Sequence, residues 1–266
     1  MSTTSGISIV FITGAFIGNN CWDDWKSYFE NEGYITLAPP WPNKESSPEQ
    51  LRRRHPDPAI ASNRLLGLME HFTSVIVALP EKPILIGHST GGLIVQLLLQ
   101  RGLARAAIVI HSFPPHGVDN FKFAFIKVWW EAMAFFTSSR KTYLISFRRW
   151  QYSIAHGMSC EQQKGTYYDH ATPESKLLIR DSFKCKAKIN FKSPHTPLLI
   201  ISGSLDKMIP ASVNYSNYKK YKVSNSITDY REFKGRNHLV FGQSTSMEEA
   251  AFVLYWLRRL NKLELK

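Results

Sequence analysis

The chain has 266 residues, of which 44% are hydrophobic, 13% aromatic and 20% charged. That is ample apolar material for a large core, and it excludes disordered, collagen-like and mucin-like classes. The formal charge is +12, from 33 Lys and Arg against 21 Asp and Glu. The basic residues lie in small scattered groups, such as Arg52, Arg53 and Arg54 or Lys184, Lys186 and Lys188, with no zinc-finger or aromatic RNA-binding motif beside them. They read as solvated surface, and no nucleic-acid partner is expected. Cys21, Cys160 and Cys185 are too few and too widely spaced for a disulfide scaffold or a metal knuckle, which fits a reducing cytoplasm. Neither a signal peptide nor a membrane span is expected: the start lacks a charged and then apolar leader pattern, and the most apolar stretch, 121–136, is short and interrupted by Lys122, Lys127 and Glu131.

Short β-branched runs alternate with longer segments of helical period, the pattern of a mostly parallel α/β sheet with flanking helices. Strands are predicted over 7–12, 34–37, 83–87, 106–111, 197–202 and 227–233, six in all. Helices are predicted over 22–31, 59–79, 90–101, 211–221 and 247–263, with Pro210 suited to a first helical turn. The Pro-rich stretch 39–58 reads as a surface loop. Between Pro114 and Lys192 no strand fits and aromatics accumulate, so residues 114–192 read as a helical insertion between core segments 1–113 and 193–266.

The sharpest signal is Gly87-His88-Ser89-Thr90-Gly91-Gly92, directly after one apolar strand and directly before one helical run. This is the strand, turn, helix context that a G-x-S-x-G elbow requires. The serine would sit in a strained turn, where side chains two positions away on either side would collide with neighbouring backbone; glycine at both places relieves this. The following helix aims its N-terminus at the reaction centre, so the Thr90 amide is a candidate oxyanion donor.

With these residues the chain resembles the α/β-hydrolase superfamily over nearly its whole length, most closely its short serine-nucleophile branch of esterases and hydroxynitrile lyase-like proteins. The resemblance implies a Ser-Asp-His order. It assigns the acid to Asp206, in Leu-Leu-Ile-Ile-Ser-Gly-Ser-Leu-Asp, and the base to His238, in Lys-Gly-Arg-Asn-His-Leu. Asp119 is a second candidate for the acid. The family's oxyanion loop corresponds to Thr13-Gly14-Ala15-Phe16, which points to the Ala15 amide as the second donor, with Phe16 as a pocket wall. Thr13 stands where the family usually has histidine. The insertion corresponds to a lid, and His111, His116 and Trp129 are candidate substrate contacts. His88 is expected to pack under the elbow, and Trp22 and Trp25 to pack on the first helix. No metal-ligand spacing or nucleotide signature is present, so no metal and no cofactor are expected.

The resemblance implies acyl transfer on a small, partly apolar ester, lactone, thioester or amide, with water as the second acceptor. Three alternatives stay open: a lyase or perhydrolase on the same triad, a slow-turnover small-molecule receptor, and an inactive scaffold. Oligomeric state is not readable.

Overall fold

In a computed structural model, residues 6–118, 138, 141–223, 225–243 and 245–264 are described. Six strands form one sheet: β1 (Ser8–Ile12), β2 (Ile35–Leu37), β3 (Ile84–His88), β4 (Ala106–Ile110), β5 (Leu198–Gly203) and β6 (Thr228–Phe233). Their order is β2-β1-β3-β4-β5-β6, and every pairing is parallel. The four inner strands are buried along their whole length, which explains their unbroken apolar runs: helices cover both faces of a parallel sheet. β2 and β6, at the edges, keep polar and partly exposed positions.

The helices are α1 (Asp23–Asn31), α2 (Pro48–Arg53), α3 (Pro58–Ala61), α4 (Leu65–Val77), α5 (Thr90–Gln100), α6 (Cys160–His170), α7 (Lys176–Ser182), α8 (Ala211–Lys220) and α9 (Ser246–Glu264). α1 packs with α9, whereas α5 rests on β1, β3 and β4 beside α4, and α8 rests on β5 and β6. Right-handed crossovers account for these two layers, because the chain moves one way from β1 to β2 and the other way from β3 onward. Trp22 and Trp25 are buried as expected, in an aromatic cluster with Phe11 and Phe29. Among the described residues no helix is long and apolar enough to cross a membrane.

Two local expectations are corrected. The stretch 39–58 keeps many exposed positions but is not all loop: Trp41, Lys44 and Leu51 are buried, and α2 starts at a capping box in which Ser47 and Gln50 satisfy each other's backbone N–H groups. The helix expected over 59–79 divides into α3 and α4. The Ser175 hydroxyl, more than a hundred residues away, reaches the carbonyls of Ala61 and Asn63, and Arg64 pairs with Asp181. Tertiary hydrogen bonds thus replace the helical ones at this break. Between 141 and 192 the described chain is helical, with a short turn Phe147–Arg149, a π-helical Trp150–Ile154, α6 and α7. The apolar stretch 121–136 lies outside the described residues.

Candidate active site

The oxyanion loop, the three triad candidates and His111 sit past the carboxyl ends of strands. The loop 13–16 follows β1, Ser89 follows β3, His111 follows β4, Asp206 follows β5 and His238 follows β6. The sheet order reverses between β1 and β3, and the crevice at such a switch point is where parallel α/β sheets place their ligands.

Ser89 has φ +54° and ψ −121°, a left-handed conformation that costs an L-residue about 1–3 kcal/mol. Its surroundings impose it. The Ser89 amide donates to the Ile110 carbonyl at 3.0 Å, and its own carbonyl accepts from Gly92 at 2.9 Å and Phe113 at 2.9 Å. The flanking glycines are required by contact: a Cβ on Gly91 would lie 2.1 Å from the Ile12 carbonyl oxygen, and one on Gly87 would lie 2.5 Å from that of Gly91.

Three side chains from three strand ends then meet. His238 Nε2 lies 3.1 Å from Ser89 Oγ, and His238 Nδ1 lies 2.8 Å from Asp206 Oδ2. Asp206 Oδ1 accepts from the amides of Met208 and Ile209, each at 2.8 Å. The two loops are joined directly, since the Leu205 amide donates to the Arg236 carbonyl at 2.9 Å. Burial pushes His238 down, which keeps its ring neutral: Nδ1–H donates to Asp206 and the Nε2 lone pair faces Ser89. Burial also pushes Asp206 up; His111 and the two backbone amides oppose this by favouring the carboxylate.

The loop after β1 lies against the serine, for a Cβ on Gly14 would be 2.8 Å from Ser89 Cβ. Among the described residues no acceptor takes the Ala15 or Thr90 amide, so both remain free for an incoming oxygen. Phe16 is buried, stands at φ +69° and packs edge-on against Tyr143 at 5.8 Å. Its amide donates to Glu174 Oε2 at 3.3 Å and its carbonyl accepts from Thr172 at 2.8 Å.

Glu174 and its partner Lys44 carry no local motif and were not singled out in the sequence. They form a buried ion pair of 3.0 Å, with Ser175 N–H on the second Glu174 oxygen at 2.9 Å. Glu174→Gln leaves Lys44 charged and unpaired, and the expected loss is about 3–5 kcal/mol in urea unfolding. The double variant Lys44→Met, Glu174→Gln is expected to recover most of it, because no buried charge then stands alone.

The other expected contacts fall in different places. His111, expected as a substrate contact, is fully buried, at φ +49°, with Nδ1 3.0 Å from the His238 carbonyl oxygen and 4.0 Å from Asp206 Oδ2. His88 is also buried, with Nε2 2.7 Å from the same carbonyl. His116 is exposed, its amide on the Ala187 carbonyl at 2.9 Å. Trp129 and Asp119 lie outside the described residues. His88, His111 and His238 bring ring nitrogens within 4.8 Å of one another, a spacing a metal ion accepts. His88 and His111 each commit one nitrogen to the His238 carbonyl, and His238 commits both of its own to Asp206 and Ser89, so the described contacts are those of a hydrogen-bonded cluster.

His170 adds a titration that reports on the neighbourhood of this loop. Its carbonyl accepts from Gly18 at 2.8 Å, and its ring packs on Phe241 at 4.5 Å. Burial lowers its pKa to about 4, opposed by Asp169 and Asp24. Below pH 6.5 the unfolded chain therefore binds a proton that the folded chain refuses, and stability falls with acid down to about pH 4. At pH 5 the loss from this residue is about 2 kcal/mol. His170→Phe is expected to lessen the difference between urea midpoints measured at pH 7.5 and pH 5.

A fully parallel six-stranded sheet, helices on both faces and a strained serine elbow at the switch point define an α/β-hydrolase-fold protein. The chain belongs to the alpha/beta hydrolase family, whose model matches residues 9–251. Among curated protein sequences, no match is found. Solved structures with the same fold include an extracellular alpha/beta-hydrolase from a Paenibacillus species, described as homologous to tobacco salicylic acid binding protein 2. It has a TM-score of 0.70 and 16% identity, over 94% of this chain and 98% of that one. A methylesterase from Arabidopsis has a TM-score of 0.66 and 15% identity, over 95% and 99%. Tomato methylketone synthase I complexed with 2-tridecanone has a TM-score of 0.66 and 14% identity, over 96% and 98%.

Proposed function

We propose that the chain is a serine hydrolase that cleaves a carboxylic ester, or a related lactone, thioester or amide, with an apolar portion. The observation that carries this reading is the continuous hydrogen-bonded line from Ser89 through His238 to Asp206, buried beside two free backbone amides. Ser89 Oγ attacks the substrate carbonyl carbon while His238 Nε2 takes the hydroxyl proton. The carbonyl oxygen becomes an oxyanion that accepts from the Ala15 and Thr90 amides. His238 returns the proton to the departing alcohol, thiol or amine, leaving an acyl ester on Ser89. Water attacks that ester by the same route, and Asp206 steadies the charged imidazole in both halves.

Phe16 and Tyr143 place aromatic surface beside the loop that offers Ala15, which suits an apolar acyl or alcohol group. Residues 114–192 serve as the lid in this reading. Their described part is joined to the loop after β1 through Ile17 and Ala171, and through Gly18 and His170. The esterases among structures of this fold agree with such a chemistry.

The test is mass spectrometry of the intact protein and its peptides after fluorophosphonate treatment, alongside nitrophenol release from short and medium acyl esters. A stoichiometric adduct on Ser89 with steady turnover is expected. Folded protein that neither labels nor turns over any ester would overturn the proposal.

A further inference from the structure

His88 and His111 have no step in the acyl-transfer chemistry, yet both are fully buried beside it. Each points a ring nitrogen at one atom, the carbonyl oxygen of His238, at 2.7 and 3.0 Å. A carbonyl only accepts, so both nitrogens carry protons, and the two bonds fill its two lone pairs. The rings come from the ends of β3 and β4, whereas the carbonyl belongs to the loop after β6. Three separate strand ends therefore converge on one oxygen.

Two further observations show that these rings are held for that contact. Among the described residues their other nitrogens, His88 Nδ1 and His111 Nε2, have no partner, and a buried unsatisfied polar atom costs about 1–3 kcal/mol. His111 also adopts φ +49°, a conformation that costs a non-glycine residue energy and persists only where the surroundings hold it. Packing alone would be served better by an apolar side chain in relaxed backbone.

We propose that His88 and His111 are positioning residues that clamp the His238 carbonyl and so fix the imidazole between Asp206 and Ser89. This rests on His238 being the base. Asp206 holds the ring from one end; the two histidines hold the peptide plane from which the side chain departs. Losing one donor frees that peptide to rotate, and displacements of an ångström at a reacting group cost about a hundredfold in rate.

The test pairs substitutions that remove the donor with others that keep it. His111→Leu removes it, whereas His111→Asn presents an amide N–H near the Nδ1 position; His88→Leu and His88→Gln do the same for Nε2. With a nitrophenyl ester as probe, each Leu variant is expected to lose about 10- to 100-fold in kcat with KM within about twofold, while Asn and Gln return to within about threefold of wild type. A folded Leu variant at wild-type kcat would overturn the clamp, as would Asn or Gln variants as slow as Leu. Long-range proton–nitrogen NMR of the wild-type protein supplies a readout that needs no activity and no variant. The clamp requires the Nε2–H tautomer at His88 and the Nδ1–H tautomer at His111, and the opposite tautomer at either ring sinks it. Correct tautomers in protein that neither labels nor hydrolyses would instead keep the clamp and remove the hydrolase reading.

Discussion

Ser89→Ala is expected to remove the fluorophosphonate adduct and the nitrophenol burst, and to lower kcat by about 10⁶-fold while leaving the protein folded. The Ser89 hydroxyl is the elbow group within hydrogen-bond reach of the base, and among the described residues its side-chain partner is His238. Alanine tolerates φ +54° no worse than serine, and the backbone bonds that impose the turn, to Ile110, Gly92 and Phe113, are untouched. The Ala15 and Thr90 amides also survive, so a small residual rate above that of free water is expected. Thermal unfolding close to wild type, with the adduct gone, separates loss of the nucleophile from loss of the fold. Labelling that persists in Ser89→Ala at another residue would move the nucleophile elsewhere.

Asp206→Asn is expected to lower kcat by about 10⁴-fold with little change in KM. The asparagine oxygen is able to keep the Met208 and Ile209 amides, so the loop after β5 retains its shape. Its amide nitrogen, however, presents N–H to His238 Nδ1 where the carboxylate had accepted. The imidazole must then carry its proton on Nε2, which leaves no lone pair for the Ser89 hydroxyl and no stabilising charge for an imidazolium. Normal activity in Asp206→Asn, with loss in Asp119→Asn, would transfer the acid to the segment after β4. Measuring both variants on the same ester decides between the two carboxylates.

The parts of the site that were legible in the sequence are those fixed over a few consecutive residues. Gly87-His88-Ser89-Thr90-Gly91 reads as an elbow because close backbone approach leaves no room for a Cβ, and the structure shows that approach at Ile12. Four apolar runs read as strands because a covered parallel sheet buries both faces. The ends of those strands place Ser89, Asp206 and His238 in one crevice once the order of the sheet is known.

Groups whose partners are remote in the chain gave no such signal. Lys44 and Glu174 are 130 positions apart, and each alone reads as an ordinary surface charge. The break between α3 and α4 depends on Ser175 and Asp181. His111 reads as a substrate contact because it leads into the insertion; the contact of its ring with the His238 carbonyl is made across 127 positions and has no local signal. Strand periods and glycine contacts are short-range properties and the order of serine, acid and histidine is written along the chain, so the sequence by itself determined the strands, the elbow and the family. Which charges are buried, which carbonyls are shared and how the base is held depend on pairings across tens to hundreds of residues, and those the tertiary structure alone decided.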